Sequence, residues 1–306
     1  MPEELPSPEW IVEALAYGVL LPGFVSACVL ILGFLATRRE SAVRVVGAVA
    51  FASGFLAGYV ALCRVFFDKP LLKFDDPWQW LPVWATAAVA ADLFDLPLAK
   101  RWLAGGALRL LVALAVVSVA ADYLVPETAA RTPNEAPMKE VRPTLVLGTK
   151  LVLAIAWLGL AWVAARSHGG LFPFLLALPS FAGGAVLEMG GSGTYAQLAG
   201  LLGGVLLGCA PLAWWKSAVP LARGLVPGVA VVLPGLMLNG YLDSFVPIPS
   251  ASYWLVALAP LTLAAGTLPP VRRTTPLRRC TILAIVMLLP LGTAVALALA
   301  VPKEPS

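Results

Sequence analysis

Apolar residues in this chain arrive in repeated blocks of roughly 18 to 25, the length that crosses about 30 Å of hydrocarbon at about 1.5 Å per helical residue. Backbone exposed to lipid must satisfy its own hydrogen bonds, and a helix does so within one segment. The blocks therefore predict an all-α, polytopic transmembrane helix bundle with no soluble domain. Composition agrees: 60% of the 306 residues are hydrophobic and 12% charged, about half the charged share of a soluble domain. A water-soluble fold of this size could not cover that surface.

About ten spans are expected: Trp10 to Ala36, Ala42 to Cys63, Leu81 to Ala99, Trp102 to Val125, Leu145 to Ala165, Leu171 to Met189, Tyr195 to Trp215, Leu221 to Tyr241, Ala251 to Leu268 and Cys280 to Val301. Between Leu221 and Leu268 a re-entrant hairpin is the alternative, because Asn239, Asp243, Pro247 and Pro249 break one long apolar run. The opening MPEELPSPEW is acidic where a secretory signal is basic, and the apolar stretch after it is too long for a signal core. The first span is expected to be retained.

Loop charge predicts direction, since Lys and Arg flanks stay on the cytoplasmic side. One set of loops holds twelve bases (Arg38, Arg39, Arg44, Lys100, Arg101, Arg166, Lys216, Arg223, Arg272, Arg273, Arg278 and Arg279) against the single acid Glu40. The opposite set, tails included, holds seven bases and twelve acids, among them Asp75, Asp76, Glu188 and Asp243. A cytoplasmic (inner) membrane protein with both termini outside is the expectation.

The net charge of +4 does not point to nucleic acid, because the bases are scattered over short loops and form no face. The lipid bilayer is the expected partner. Cys28, Cys63, Cys209 and Cys280 lie singly in or beside apolar segments without CxxC spacing and read as small core residues. In PWQWLPVW, Trp78, Trp80 and Trp84 read as a headgroup belt, with a sugar or lipid-headgroup platform as the alternative.

Ionisable groups inside a bilayer are costly and need a partner, a wet cavity or a route to the interface. Asp92 and Arg109 each lie eight residues from the short Lys100–Arg101 turn, so a tight hairpin would set them at equal depth, paired, with Asp95 sharing the cluster. That intramembrane charge cluster reads either as a structural lock or as a proton relay or charged-substrate site. An outer layer is expected around Lys150, with Asp122, Glu13 or Glu188 as partners, or with Lys150 snorkelling outward.

No catalytic residue, metal site or cofactor is expected. DLFD at 92–95 is one acidic pair without a second motif, and Arg109 would compete with a cation. His168 is the single histidine, which excludes bis-histidine haem and HExxH zinc sites. Ser192 in GGSGTYAQ and His168 fall at opposite faces, and no Walker A sequence occurs.

Packing patterns are clearer. Ala196, Gly200, Gly204 and Gly208 put small residues every fourth position on one face of the seventh span, and Ala50, Gly54 and Gly58 do so on the second. Both faces are expected to be seams within the chain, with a homo-oligomer or membrane partner subunits as the alternative. Prolines at 220, 227 and 234 and elsewhere permit kinks. The halves of the chain share no charge or proline pattern that would mark an inverted repeat. The function classes left are a permease-like carrier of a small solute or lipid, a non-catalytic scaffold or subunit of a larger complex, and a lipid-handling membrane enzyme.

Overall fold

The structure, a computed structural model, describes residues 7–36, 40–67, 74–93, 102–127, 137–166, 171–215 and 221–301. Those residues are helical throughout apart from turns and short links, with no strand among them.

Helix α1 is Pro8–Leu15, a π segment Ala16–Leu20 and Leu21–Ala36 in one rod. It begins with Ser7 accepting the Trp10 N–H at 3.2 Å and Pro8 at the first helical position. The π segment has a local cause. Pro22 has no N–H and its ring presses on the carbonyl of Gly18, so the ladder widens there. Helix α2 is Glu40–Leu62, ending in a π turn Cys63–Phe67; α3 is a 3-10 turn Pro77–Trp80 running into Leu81–Leu93; α4 is Trp102–Leu124. Next come α5 (Met138–Ala164), α6 (Leu171–Met189), α7 (Gly193–Trp215) and α8 (Leu221–Leu242). Helix α9 is Ser250–Leu258 followed by 3-10 turns Ala259–Thr267, α10 is the short Pro269–Arg272, and α11 is Pro276–Leu299.

Seven helices, α1, α2, α5, α6, α7, α8 and α11, are long and apolar enough to cross a membrane. The expected count of ten is met only in part by that measure. Helix α3 is described as far as Leu93, the side chains of α4 are described from Leu110 onward, and α9 loses its α-helical geometry halfway. Pro260 removes a donor there, and the Thr262 and Thr267 hydroxyls donate to the carbonyls of Ala259 and Ala264 at 2.7 Å, tightening the coil. Two boundaries also move. Helix α5 starts at Met138 rather than Leu145, so the second half of the expected outer connection is helical, and α11 starts at Pro276 rather than Cys280.

Helix α8 is the pillar of the bundle: 94% of its apolar window is buried, against 22% for α1, 28% for α11 and 33% for α5. Around it pack α2, α3, α5, α6, α7 and α9. Small residues permit this. At Gly224 an added Cβ would strike the α2 backbone at Arg44 and Ala48, and at Gly240 it would strike Leu187 of α6. Pro227 and Pro234 of α8 both lie inside the core.

Both small-residue faces read from the sequence meet the same helix. Gly204 lies against the backbone of Val19 and Gly208 against that of Gly23, while Gly54 and Gly58 lie against Pro22, Gly54 also against Ser26. The Ser26 hydroxyl then donates to the Ala50 carbonyl at 3.1 Å. Gly200 approaches only the Val19 side chain, and Ala196 packs against the core margin. Helix α1 is thus clasped between α2 and α7 at backbone contact distance, where dispersion takes the place of a hydrophobic driving force.

Helix ends expose four carbonyls each, and arginines from neighbouring helices take several of them. Arg142 of α5 donates to Asp122 O at 3.0 Å and Val125 O at 3.4 Å beyond α4; Arg223 of α8 donates to Ala165 O at 3.2 Å beyond α5; Arg279 of α11 donates to Gly266 O at 2.8 Å at the end of α9. Each guanidinium also meets the negative end of a helix dipole.

Candidate functional site

The expected charge cluster falls where side chains are not described. Asp92 and Arg109 belong to the backbone of α3 and α4, while Asp95, Lys100 and Arg101 lie outside the described residues. Lys150 Nζ stands 3.1 Å from Asp122 Oδ1, an ion pair between α5 and α4 whose members are 31% and 53% exposed. Glu13 on α1 and Glu188 on α6 are exposed and are not part of that pair. A pair so open to its surroundings binds weakly and offers no enclosed site.

The tryptophans differ from a simple belt. Trp78 is buried, with its ring 5.9 Å from Tyr59 and 5.0 Å from Phe67, and Trp80 and Trp84 both pack on Tyr123 at 4.6 and 5.6 Å. These rings tie α3 to α2 and α4. Trp78 is enclosed by this packing, while Trp80 and Trp84 stay half-buried.

A different group gathers at the end of α8. The α6–α7 turn, Gly190 to Ser192, and the α8–α9 link, 243–249, meet there. Gly191 adopts φ +77°, a left-handed geometry that glycine accepts without a Cβ clash, and this folds α6 back onto α7. Gly190 O accepts from the N–H groups of Phe245 and Val246 at 3.1 and 3.3 Å and from the Ser244 hydroxyl at 3.1 Å. Ser244 also receives the Tyr253 hydroxyl at 3.2 Å, and Ser192 donates to Gly240 O at 3.3 Å. The two links are therefore stitched into one cap over α8.

Within that cap the Tyr195 hydroxyl donates to Asp243 Oδ2 at 2.5 Å, a short, charge-assisted distance. Tyr195 is buried, with its Cβ beside Gly240 of α8. Asp76, before α3, is close enough for its charge to act on both Tyr195 and Asp243. Burial pushes the Asp243 carboxyl above its ordinary value; the Tyr195 hydrogen bond opposes this and the Asp76 charge adds to it.

One turn deeper on the same face of α8 sits Asn239, whose carbonyl accepts the Asp243 N–H at 2.9 Å. Its side chain is fully buried. Nδ2 donates to Gly235 O at 2.9 Å, and Oδ1 has no hydrogen-bond partner. Gln197 Oε1 on α7 and the buried Ser252 Oγ on α9 are likewise unpaired. A buried acceptor without a donor costs about 1 to 3 kcal/mol. Carboxylate, phenol and amide oxygens in one cap could accept a proton or the N–H and O–H groups of a polar solute. Among the described residues no group of three His, Cys, Asp or Glu side chains could hold a metal ion.

The sequence marks Asn239 as a helix breaker, Asp243 as a breaker and an outer-loop acid, and Tyr195 as the start of a span. The available clue was their spacing: Asn239 and Asp243 stand four apart at a helix end, which places two polar side chains on one face. The Tyr195 contact, 48 residues away, had none. No protein-family model matches the chain, and no curated protein matches it either.

Proposed function

We propose that this protein is a permease-like carrier of a small solute or lipid, with the Tyr195–Asp243–Asn239 cap as its polar site. The observation that carries the reading is the unpaired Asn239 Oδ1, fully buried on the most enclosed helix four residues before Asp243. Pro227 and Pro234 interrupt the hydrogen-bond ladder of that helix, which supports movement of its Asp243 end against the helices around it.

Ten passes remain the topology of this proposal. Helix α9 has nine α-helical residues at about 1.5 Å and nine 3-10 residues at about 2.0 Å, a rod of about 30 Å despite its broken pattern. The same rises give α3 with its 3-10 turn about 27 Å and α4 about 34 Å. Loop charges then set the Asp243 end outside and the arginine-rich end in the cytoplasm of an inner membrane.

The test is uptake into proteoliposomes of a labelled panel of amino acids, sugars, nucleosides and lipid analogues. The expected result is saturable uptake of one class, lowered at least about tenfold by Asp243→Asn and by Asn239→Leu at unchanged folded yield. Absence of saturable uptake, or equal uptake by both variants, would end the carrier reading in favour of a non-catalytic membrane subunit.

A further inference from the structure

The end of the molecule opposite the Asp243 cap carries, at the α9–α11 corner, a charge imbalance that the described helices packed there do not answer. Between Ser244 and Val301 the only side chains charged at neutral pH are Arg272, Arg273, Arg278 and Arg279. Between Val141 and Val301 the only acids are Glu188 and Asp243, and both belong to the other end. The helices around this corner, α5, α6, α9 and α11, therefore bring Arg166 and no carboxylate to it.

Local structure concentrates the charge further. Arg279 is committed to the Gly266 carbonyl at 2.8 Å, and Arg272 is near enough for its charge to act on Arg279. Arg272, Arg273 and Arg278 are exposed. Arg278 and Arg279 also occupy the first turn of α11 behind Thr275 and Pro276, where the helix dipole is positive and the first N–H groups have no helical acceptor. Cations at that position are unfavourable unless an anion joins them. Flanking them, Leu268 and Leu277 are 52% and 72% exposed, an apolar border beside the arginines.

We propose that this corner binds the phosphate headgroup of an anionic phospholipid, held by Arg272, Arg273 and Arg278, with Leu268 and Leu277 against its acyl chains. Guanidinium suits the task because its planar fork can meet two phosphate oxygens at once, which an ammonium cannot. The leucines distinguish a lipid from a free phosphate ion, since a soluble anion gains nothing from them. Binding here is separable from transport at the other end, and neither requires the other.

Thermal unfolding of the full chain in detergent, titrated with phosphatidylglycerol or phosphatidylcholine, tests the proposal. Phosphatidylglycerol is expected to raise Tm at a mole fraction on the order of tenfold below any effect of phosphatidylcholine, and inorganic phosphate or glycerol phosphate to leave Tm unchanged. The triple variant R272Q/R273Q/R278Q keeps the Arg279 bond and is expected to shift the phosphatidylglycerol midpoint upward by on the order of tenfold or more. The triple lysine variant is expected to fall between the two. Equal stabilisation by both lipids, full stabilisation by inorganic phosphate, or an unchanged midpoint in the glutamine variant would each overturn it. If the glutamine variant does not fold, the lysine variant and the wild-type lipid series decide.

Discussion

Helices α8 and α11 are of similar length and both read as membrane spans, yet α8 is almost wholly enclosed and α11 turns most of its surface outward. Apolarity does not separate them in the expected direction: α11 is the more hydrophobic of the two. In water the most apolar helix is drawn inside, but lipid tails are as apolar as a leucine core and exert no such pull. What α8 has instead is glycine where neighbours come close, and a buried amide, Asn239, that lipid would not tolerate. Position in a membrane bundle follows from small residues and polar groups, and the leucines fill what remains.

The sharpest way to break this contrast is truncation on each helix. Leu236→Ala on α8, fully buried, is expected to lower stability by about 2 to 5 kcal/mol, the range for a cavity in a packed core. Leu289→Ala on α11, 67% exposed, is expected to change it by no more than about 0.5 kcal/mol, because its neighbours are replaceable. Denaturant or thermal unfolding in one detergent compares the two directly. Equal losses would mean that α11 is covered by something else.

Glycine replacement should reverse sign between the helices. Gly224→Ala on α8 forces a methyl group into the α2 backbone and is expected to cost about 1 to 3 kcal/mol. Gly292→Ala on α11 meets nothing within 4 Å and is expected to gain up to about 1 kcal/mol through helix propensity. A loss at Gly292 would expose a partner surface on α11.

Acidity probes the end of α8. Because the folded Asp243 carboxyl is raised above its unfolded value, the folded state holds a proton that the unfolded state has released. Stability is therefore expected to fall as pH rises from about 4, the unfolded carboxyl value, to the raised folded one, and to be flat in that group above it. Asp243→Asn, which still accepts the Tyr195 hydroxyl, should flatten this limb of the Tm against pH curve. An unchanged curve would show that the carboxyl titrates normally.

The smallest effect belongs to the rim. Lys150→Gln removes a half-exposed pair with Asp122, and a change of less than about 1 kcal/mol is expected, weakening further with salt. A larger loss in unfolding measurements would place that pair inside an interface.

Much of this was readable in advance, for reasons particular to membranes. The seven long apolar helices were legible because each must satisfy its own backbone and span a fixed thickness. The small residues at every fourth position of α2 and α7 were visible in the sequence as faces that admit close backbone approach. Their shared partner, α1, was not, because a seam names its own face and not the face it meets. The α9 break at Pro260 and the inward turn of Trp78 were also hidden: each depends on neighbours distant in sequence.

By itself, then, the amino-acid order determined that this chain forms helices long and apolar enough to cross a membrane, roughly where those helices lie, and how charge divides between its loops. Those properties depend on one helix and the bilayer. Only the tertiary structure decided that α8 stands at the centre, that Tyr195 meets Asp243 at its end, and that Asn239 is buried with an unpaired oxygen. Those depend on which helices become neighbours, and in lipid that choice is made by close fit and hydrogen bonding rather than by apolarity.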